Sequence, residues 1–279
     1  MAVSAQLKSL VEQMPKADAK SLFCTDIDKE KIEQTAAAIQ KGGKQFLLEL
    51  IDMMDEPGSE QDVKPHYALR CVGNCVLQSK DEKARREYAE TLASQLSSGR
   101  SKYIRGFLCQ ELQWAGRREA VPALAGLLAD EELVDPAAMA LVAIKDGSAE
   151  VLRAAWPTAR GRSRLVILHS LAALADAQSA DAFKAALKDP DREVRLAAGA
   201  GLAKIGDSGA VEMLLKAADV EPGWERVQQT KHCLVLAEKL AAAGKKAEAN
   251  RIYTHLQQTR TDPSERYIRE AAAKALAGN

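Results

Sequence analysis

The residues best suited to metal chemistry form one short group. Cys71 and Cys75 are four positions apart and would share one face of a helix, and His66 comes about one turn earlier. Thiolate and imidazole are ligands that zinc prefers, but a zinc site needs a complete ligand set. Neither a Cys-x-x-Cys pair nor a second cluster accompanies them. We therefore interpret both cysteines as small residues packed in a helix, and we predict no metal site and no cofactor.

The search for catalytic groups finds only isolated residues. His169 lies on a predicted helix among apolar neighbours, where a surface or groove histidine is a better explanation than a general base. Gly199 and Gly201 fall in the middle of another helix and lack the strand that a dinucleotide-binding loop requires. Close helix packing explains them better. The sequence predicts no catalytic residue, and we expect a protein that is not an enzyme.

The charge balance and the number of cysteines limit the classes of binding partner and the cellular compartment that we expect. Lys plus Arg and Asp plus Glu both number 39, whereas proteins that wrap nucleic acid usually carry a basic excess. No apolar run approaches the length of a membrane span, and Lys8 and Glu12 interrupt the only candidate signal sequence. The five cysteines are an odd number, which is typical of a reducing compartment. We expect a cytoplasmic protein without a membrane or nucleic-acid partner.

The whole chain has the pattern of helices. Alanine recurs in runs such as 36–38 and 241–243, and β-branched clusters at period two are almost absent. The clearest unit spans 190–215, with an Asp-Pro turn, a helix ended by Gly206 and a second helix that starts at Val211. The first helix of this unit has an apolar stripe at helical spacing, formed by Val194, Ala198, Leu202 and Ile205.

One leucine marks each unit. Residues at the position of Leu202 recur at intervals of 29 to 38 residues, and an arginine stands seven residues before most of them. Such a period with two helices per unit is the signature of an α-solenoid. The leucines are Leu77, Leu112, Leu141, Leu171, Leu202, Leu240 and Leu276, and the arginines are Arg70, Arg105, Arg164, Arg195 and Arg269.

The segment from Asp189 to Leu215 closely resembles a HEAT repeat of the short bacterial type, and the resemblance extends from about Lys64 to the C-terminus. It implies an all-α fold: a right-handed α-solenoid of stacked antiparallel helix pairs, or HEAT-like superhelix. The unit from Leu240 to Tyr253 is instead similar to a tetratricopeptide repeat. The family also implies a ladder of Asp–Arg pairs, for which the candidates are Asp189 or Asp191 with Arg195, Asp262 with Arg269, and Asp62 with Arg70.

Before residue 64 the helical periodicity persists, but the repeat template fails. We predict helices over 3–14, 28–40 and 44–54. Because the outer face of a terminal repeat must meet water, residues 1–63 are interpreted as a helical cap. This cap would be continuous with a repeat solenoid over 64–279 of about six to seven units.

The resemblance implies that the first helix of each pair lines a concave surface. The positions opposite the buried stripe hold almost no charge, which predicts a neutral, partly apolar groove. Stacking of adjacent repeats would bury part of this face. The groove residues that we predict are Asn74, Gln78, Gln110, Gln113, Leu165, His169 and Leu196.

These features favour a non-catalytic scaffold or adaptor that binds a protein or peptide in the concave groove. One alternative is a lyase-like enzyme or enzyme accessory that acts on a bound small molecule, because bilin lyases share the repeat. The other is a nucleic-acid-binding HEAT-like protein, which a continuous basic stripe would support. Three tryptophans lie near turns and helix ends, where packing is the commoner role, although an exposed one would be a natural anchor: Trp114, Trp156 and Trp224.

Overall fold

The computed structural model describes residues 3–17, 24–25, 27–56, 59 and 61–278. Within these ranges the chain forms sixteen α-helices joined by short turns and single turns of 3-10 helix. The chain divides into two compact units, residues 1–151 and 152–279. The fold class is therefore all-α, as the alanine-rich pattern predicts.

The first unit is a stack of antiparallel helix pairs in two layers. Helices α2, α4, α6 and α8 pack side by side in one layer, and α3, α5 and α7 pack in the other. The helices are α1 (Ala5–Glu12), α2 (Lys29–Lys41), α3 (Gly43–Asp52), α4 (Val63–Ser79), α5 (Glu82–Ser94), α6 (Lys102–Ala115), α7 (Val121–Ala125) and α8 (Val134–Ile144). Helix α9 (Ser148–Ala155) crosses the division between the units.

The second unit repeats this arrangement. Its first helices α10, α12 and α14 pack side by side, α11 packs on α12, and α13 and α15 form the other layer. These helices are α10 (Gly161–Ala173), α11 (Ala180–Ala186), α12 (Arg192–Ile205), α13 (Val211–Ala218), α14 (Trp224–Ala242), α15 (Lys246–Thr259) and α16 (Arg266–Gly278).

One short β-ladder departs from the expectation of an entirely helical chain. Strands β1 (Lys16–Ala17) and β2 (Cys24–Thr25) pair antiparallel before α2. Two residues per strand cannot form a packing layer, so this ladder leaves the fold class unchanged.

The predicted leucines lie in the cores of the two units, with two exceptions. Leu112, Leu141, Leu171, Leu202 and Leu240 are all at most 1% exposed. Leu77, in contrast, is only half-buried. In α4 the corresponding core residue is Val76, which is buried together with Val72 and Ala68 at helical spacing. Leu276 near the chain end is also half-buried.

Glycines allow the helices of the best-defined repeat to approach closely. A Cβ atom added to Gly201 would lie 2.5 Å from Cε1 of Phe183 on α11, and one added to Gly199 would lie 2.3 Å from Oε1 of Gln229 on α14. Helix α12 therefore packs on both neighbours through these positions, as the sequence predicts. It ends where Gly206 adopts the left-handed conformation, with φ of 73°.

Arginines at the starts of first helices join successive repeats. Arg164 Nε lies 2.8 Å from Asp189 Oδ2, and Arg195 makes a two-pronged pair with Glu225 at 2.7 and 2.8 Å. Each arginine thus reaches forward to an acidic residue of the next repeat. The predicted contact of Arg195 with Asp189 occurs through the Asp189 backbone carbonyl, which accepts from Nη1 at 2.8 Å.

The other two predicted ladder pairs also differ. Asp62 does not pair with Arg70, because its Oδ1 lies 2.8 Å from Nδ1 of His66 in the first turn of α4. Asp262 meets Arg269 only through its backbone carbonyl, which accepts from Nη1 at 3.0 Å. The side-chain pairs of this ladder therefore join each arginine to an acidic residue 25 or 30 positions later in the sequence. They do not use an aspartate just before the arginine.

Candidate binding face

Helices α4, α6 and α8 present one exposed column of residues, each two positions before a core residue. These are Asn74, Gln110 and Met139, which precede Val76, Leu112 and Leu141, and all three are exposed. Because first helices in a stack of antiparallel pairs run parallel, equivalent positions face the same side. We call this surface of α4, α6 and α8 the amide face; it also includes Gln78, Gln113 and the aromatic residues described next.

Large apolar side chains extend the amide face. Trp114, one turn after Gln110, is 61% exposed, Tyr103 is 39% exposed, and Met139 is 59% exposed. Packing is the expected role of Trp114, Trp156 and Trp224, but only Trp156 is buried. Cζ of Arg164 lies over its ring, 4.1 Å from the ring centroid. Met139 was missed because its repeat lacks the arginine that marks the column. Its position two residues before Leu141, the same offset as that of Gln110 from Leu112, would have identified it.

The charges that border the amide face are neutralised by neighbours. Arg70 pairs with Glu111 at 2.8 Å, and Lys102 lies 2.6 Å from Glu132 and 3.0 Å from Asp130. Glu111 is almost fully buried, and burial raises the pKa of its carboxyl, against the opposing charge of Arg70. Asn74, Gln78, Gln110, Gln113, Trp114 and Met139 themselves carry no charge, and the charged groups named here at their border have partners of opposite charge.

A cleft of about 370 Å³ lies between α2 and α4 at the edge of the amide face. Asn74 and Gln78 line it, so two of the predicted groove residues belong to one concave site. The apolar wall comes from Ile32 and Ala36 of α2, with the exposed Ile27 beside them. The remaining lining residues are Lys29, Glu33, Tyr67, Cys71 and Cys75.

The predicted groove residues of the second unit lie in a different environment. Leu165 is half-buried and His169 is exposed, both on α10, whereas Leu196 on α12 is only 8% exposed. Leu196 therefore offers little surface to a partner, and we leave it out of the proposed site. Although His169 is exposed, desolvation by its surroundings lowers its pKa, and the charge of Glu193 opposes this shift. The ring is neutral at pH 7.

The three residues considered for metal chemistry point to different surroundings. The His66 ring makes tilted contacts with the rings of Phe107 and Tyr103 and pairs with Asp62, whereas Cys71 and Cys75 line the α2–α4 cleft. Within the described part of the chain, no group of three or more His, Cys, Asp or Glu side chains is placed to hold a metal ion. Nor does any helix in the described ranges combine the length and apolarity that crossing a bilayer demands.

Residues 158–234, which run from the turn before α10 into α14, match the family model described as HEAT repeats. This segment contains HEAT repeats. Among curated proteins, none matches it. The HEAT match covers four helices α10–α13 and part of α14, and the two-layer stacking of the first unit repeats the same helical arrangement.

Solved structures show the same fold at low sequence identity. The karyopherin Kap121p bound to the extreme C-terminus of the protein phosphatase Cdc14p is 13% identical, with a TM-score of 0.54, over 89% of this chain and 30% of that one. Kap121p bound to Nup53p is 12% identical, with a TM-score of 0.54, over 96% and 35%. The chain thus spans about a third of the length of Kap121p.

The complex of CpcE and CpcF of phycocyanin lyase from Nostoc sp. is 16% identical over 92% of this chain and 96% of that one. Its TM-score of 0.37 is too low to support any argument about this protein.

Proposed function

We propose that this chain is a non-catalytic interaction module of the cytoplasm that holds an extended segment of a partner protein along the amide face. The exposed column of Asn74, Gln110 and Met139 beside Trp114 is the observation that carries the proposal. The Kap121p structures support it by analogy: one is bound to the extreme C-terminus of Cdc14p and the other is bound to Nup53p, on the same type of fold.

The spacing of the amide groups suits a peptide backbone. Adjacent packed helices lie about 8–10 Å apart, and an extended chain advances about 3.3 Å per residue, so each helix meets every third residue of the peptide. An amide side chain offers both a donor and an acceptor, as a peptide unit does. Asn74 and Gln110 can therefore each bind one peptide unit, with Gln78 and Gln113 beside them.

The aromatic residues would supply most of the affinity. Burying the exposed part of Trp114 removes about 100–150 Å² of mainly apolar surface from water, which favours binding by about 3 kcal/mol before the costs of association. An uncharged face of this kind disfavours nucleic acid, because phosphate binding requires unpaired cations. It favours a protein segment of low charge.

Selection from a random library of displayed peptides tests the proposal without knowledge of the native partner. The peptides should be about twelve residues long, enough to cross three helices at three residues per helix. We expect selected peptides to bind the full chain, and we expect Trp114→Ala to weaken binding by about tenfold or more, as for an interface tryptophan.

Trp224→Ala is the matched control. Trp224 is 60% exposed, almost the same as Trp114, but it lies on α14 in the other unit. Its removal should leave peptide affinity unchanged. Failure to select any binder, or peptides that depend on Trp224 and ignore Trp114, would refute binding at the amide face.

A further inference from the structure

We propose that the α2–α4 cleft is a specificity pocket that receives one large, uncharged, apolar side chain of the bound protein segment. This inference rests on the proposed function, because the cleft and the amide face share Asn74 and Gln78. A peptide bound along that column therefore passes the mouth of the cleft.

The shape and lining of the cleft define the class of side chain. Its volume of about 370 Å³ is at the lower end of the range for ligand pockets, which suits a single bulky group. Ile32 and Ala36 form its apolar wall, Tyr67 offers an aromatic ring, and Ile27 stands exposed at 57% beside them. An aromatic side chain would cover the apolar wall and Ile27 together.

The charges around the cleft argue against an ionic occupant. Lys29 and Glu33 lie one helical turn apart on α2 and carry opposite charges, so neither sign dominates the mouth. Burial and the charge of Glu33 raise the pKa of the Cys75 thiol, which therefore stays neutral at physiological pH. A charged side chain would lose its hydration against the apolar wall, and at the mouth it would meet a like charge as well as an opposite one.

The two thiols provide a direct readout. Cys71 and Cys75 are half-exposed in the cleft, whereas Cys109 and Cys233 are fully buried, and burial raises the pKa of each buried thiol to about 12. The full chain is treated with iodoacetamide, and alkylation at each cysteine is followed by peptide mass spectrometry. The buried pair reports loss of folding, and an occupant of the cleft should shield the half-exposed pair.

The probe is N-acetyl-tryptophanamide, with N-acetyl-lysinamide as its charged counterpart. Protection scales as one plus the ratio of probe concentration to Kd, so at ten times its Kd the aromatic probe should slow alkylation of Cys71 and Cys75 by about tenfold. The lysine probe should have no effect. Ile27→Asp, which adds a charge at the mouth, should abolish the protection, whereas Val227→Asp, at an exposed position on α14, should preserve it.

Equal protection by both probes, or protection by neither, would overturn the specificity pocket. These outcomes would leave the proposed function to be judged by peptide selection alone. Conversely, a selected peptide that needs Trp114 but leaves the alkylation rates of Cys71 and Cys75 unchanged would support binding at the amide face and refute its extension into the cleft.

Discussion

Removal of the ion pair between Arg195 and Glu225 tests whether the ladder stabilises the repeat stack. Arg195 Nε and Nη2 lie 2.7 and 2.8 Å from the two carboxylate oxygens of Glu225, and the side chains are only 26% and 21% exposed. The pair joins the start of α12 to the start of α14. Two unit charges about 4 Å apart attract by about 4 kcal/mol at the effective dielectric constant of a protein surface, before desolvation and side-chain ordering.

After these costs, we expect a net coupling of about 1–2 kcal/mol, which exceeds that of exposed pairs because water screens this pair less. A second pair in the same unit provides the comparison. Arg251 lies 2.9 and 3.4 Å from the carboxylate oxygens of Glu212, but these side chains are 59% and 69% exposed. Its coupling should be clearly smaller than that of the Arg195–Glu225 pair, because water screens it.

The assay is a double-mutant cycle for each pair, with all four arginine and glutamate positions changed to alanine singly and in pairs. Urea unfolding of the full chain at pH 7 gives the free energies, since urea adds no ionic screening. The pKa of Glu225 is lowered, chiefly by the hydrogen bond from Arg195. Its contribution is therefore present above the unfolded pKa, near 4.3, and is lost as the pH falls through the lower folded value. Equal couplings for the two pairs would refute the link between burial and strength.

Two further predictions concern close packing and pH. Gly201→Ala should destabilise the protein by about 1–3 kcal/mol despite the better helix propensity of alanine, because its Cβ would meet the Phe183 ring at 2.5 Å. Gly126→Ala, whose Cβ meets no atom closer than 3.4 Å, should be neutral or stabilising, and thermal unfolding of both variants measures the difference. Burial, aided by the charge of Lys231, lowers the pKa of His232 to about 4, so stability should fall as the pH drops from about 6.5 to 4, by up to about 3 kcal/mol. His232→Gln should make the free energy of unfolding less dependent on pH in this range. An unchanged slope would contradict the assignment of this pH dependence to His232.

The fold was accessible from the sequence because helical periodicity is local. Leu171 and Leu202 each sit at the centre of an apolar stripe whose members are three or four residues apart, and burial of that stripe is required for any stable helix pair. Gly206 likewise specifies a helix end through its own backbone freedom. An all-α stack and most of its core therefore follow from residues that are close along the chain.

The candidate site could be predicted only in part, because exposure depends on neighbours about 30 residues away. Asn74 and Gln110 are recognisable from their helical phase, but the same reasoning chose Leu196, which is buried in the helix stack. The sequence also placed Leu77 in the core, where tertiary packing instead selects Val76, since a shift of one residue rotates a helix by about 100°.

Tertiary structure alone decided the partners of charged groups and the concave surfaces. The stack brings Arg195 to Glu225 rather than to the carboxylate of Asp191, which is nearer along the sequence. The reason is that the next repeat supplies an acceptor with the right two-pronged geometry. It also opens the cleft between α2 and α4, whose walls come from two helices that share no repeat template. Sequence periodicity determines which side of each helix is apolar, whereas the docking of one helix on the next determines which part of that side stays open to a partner.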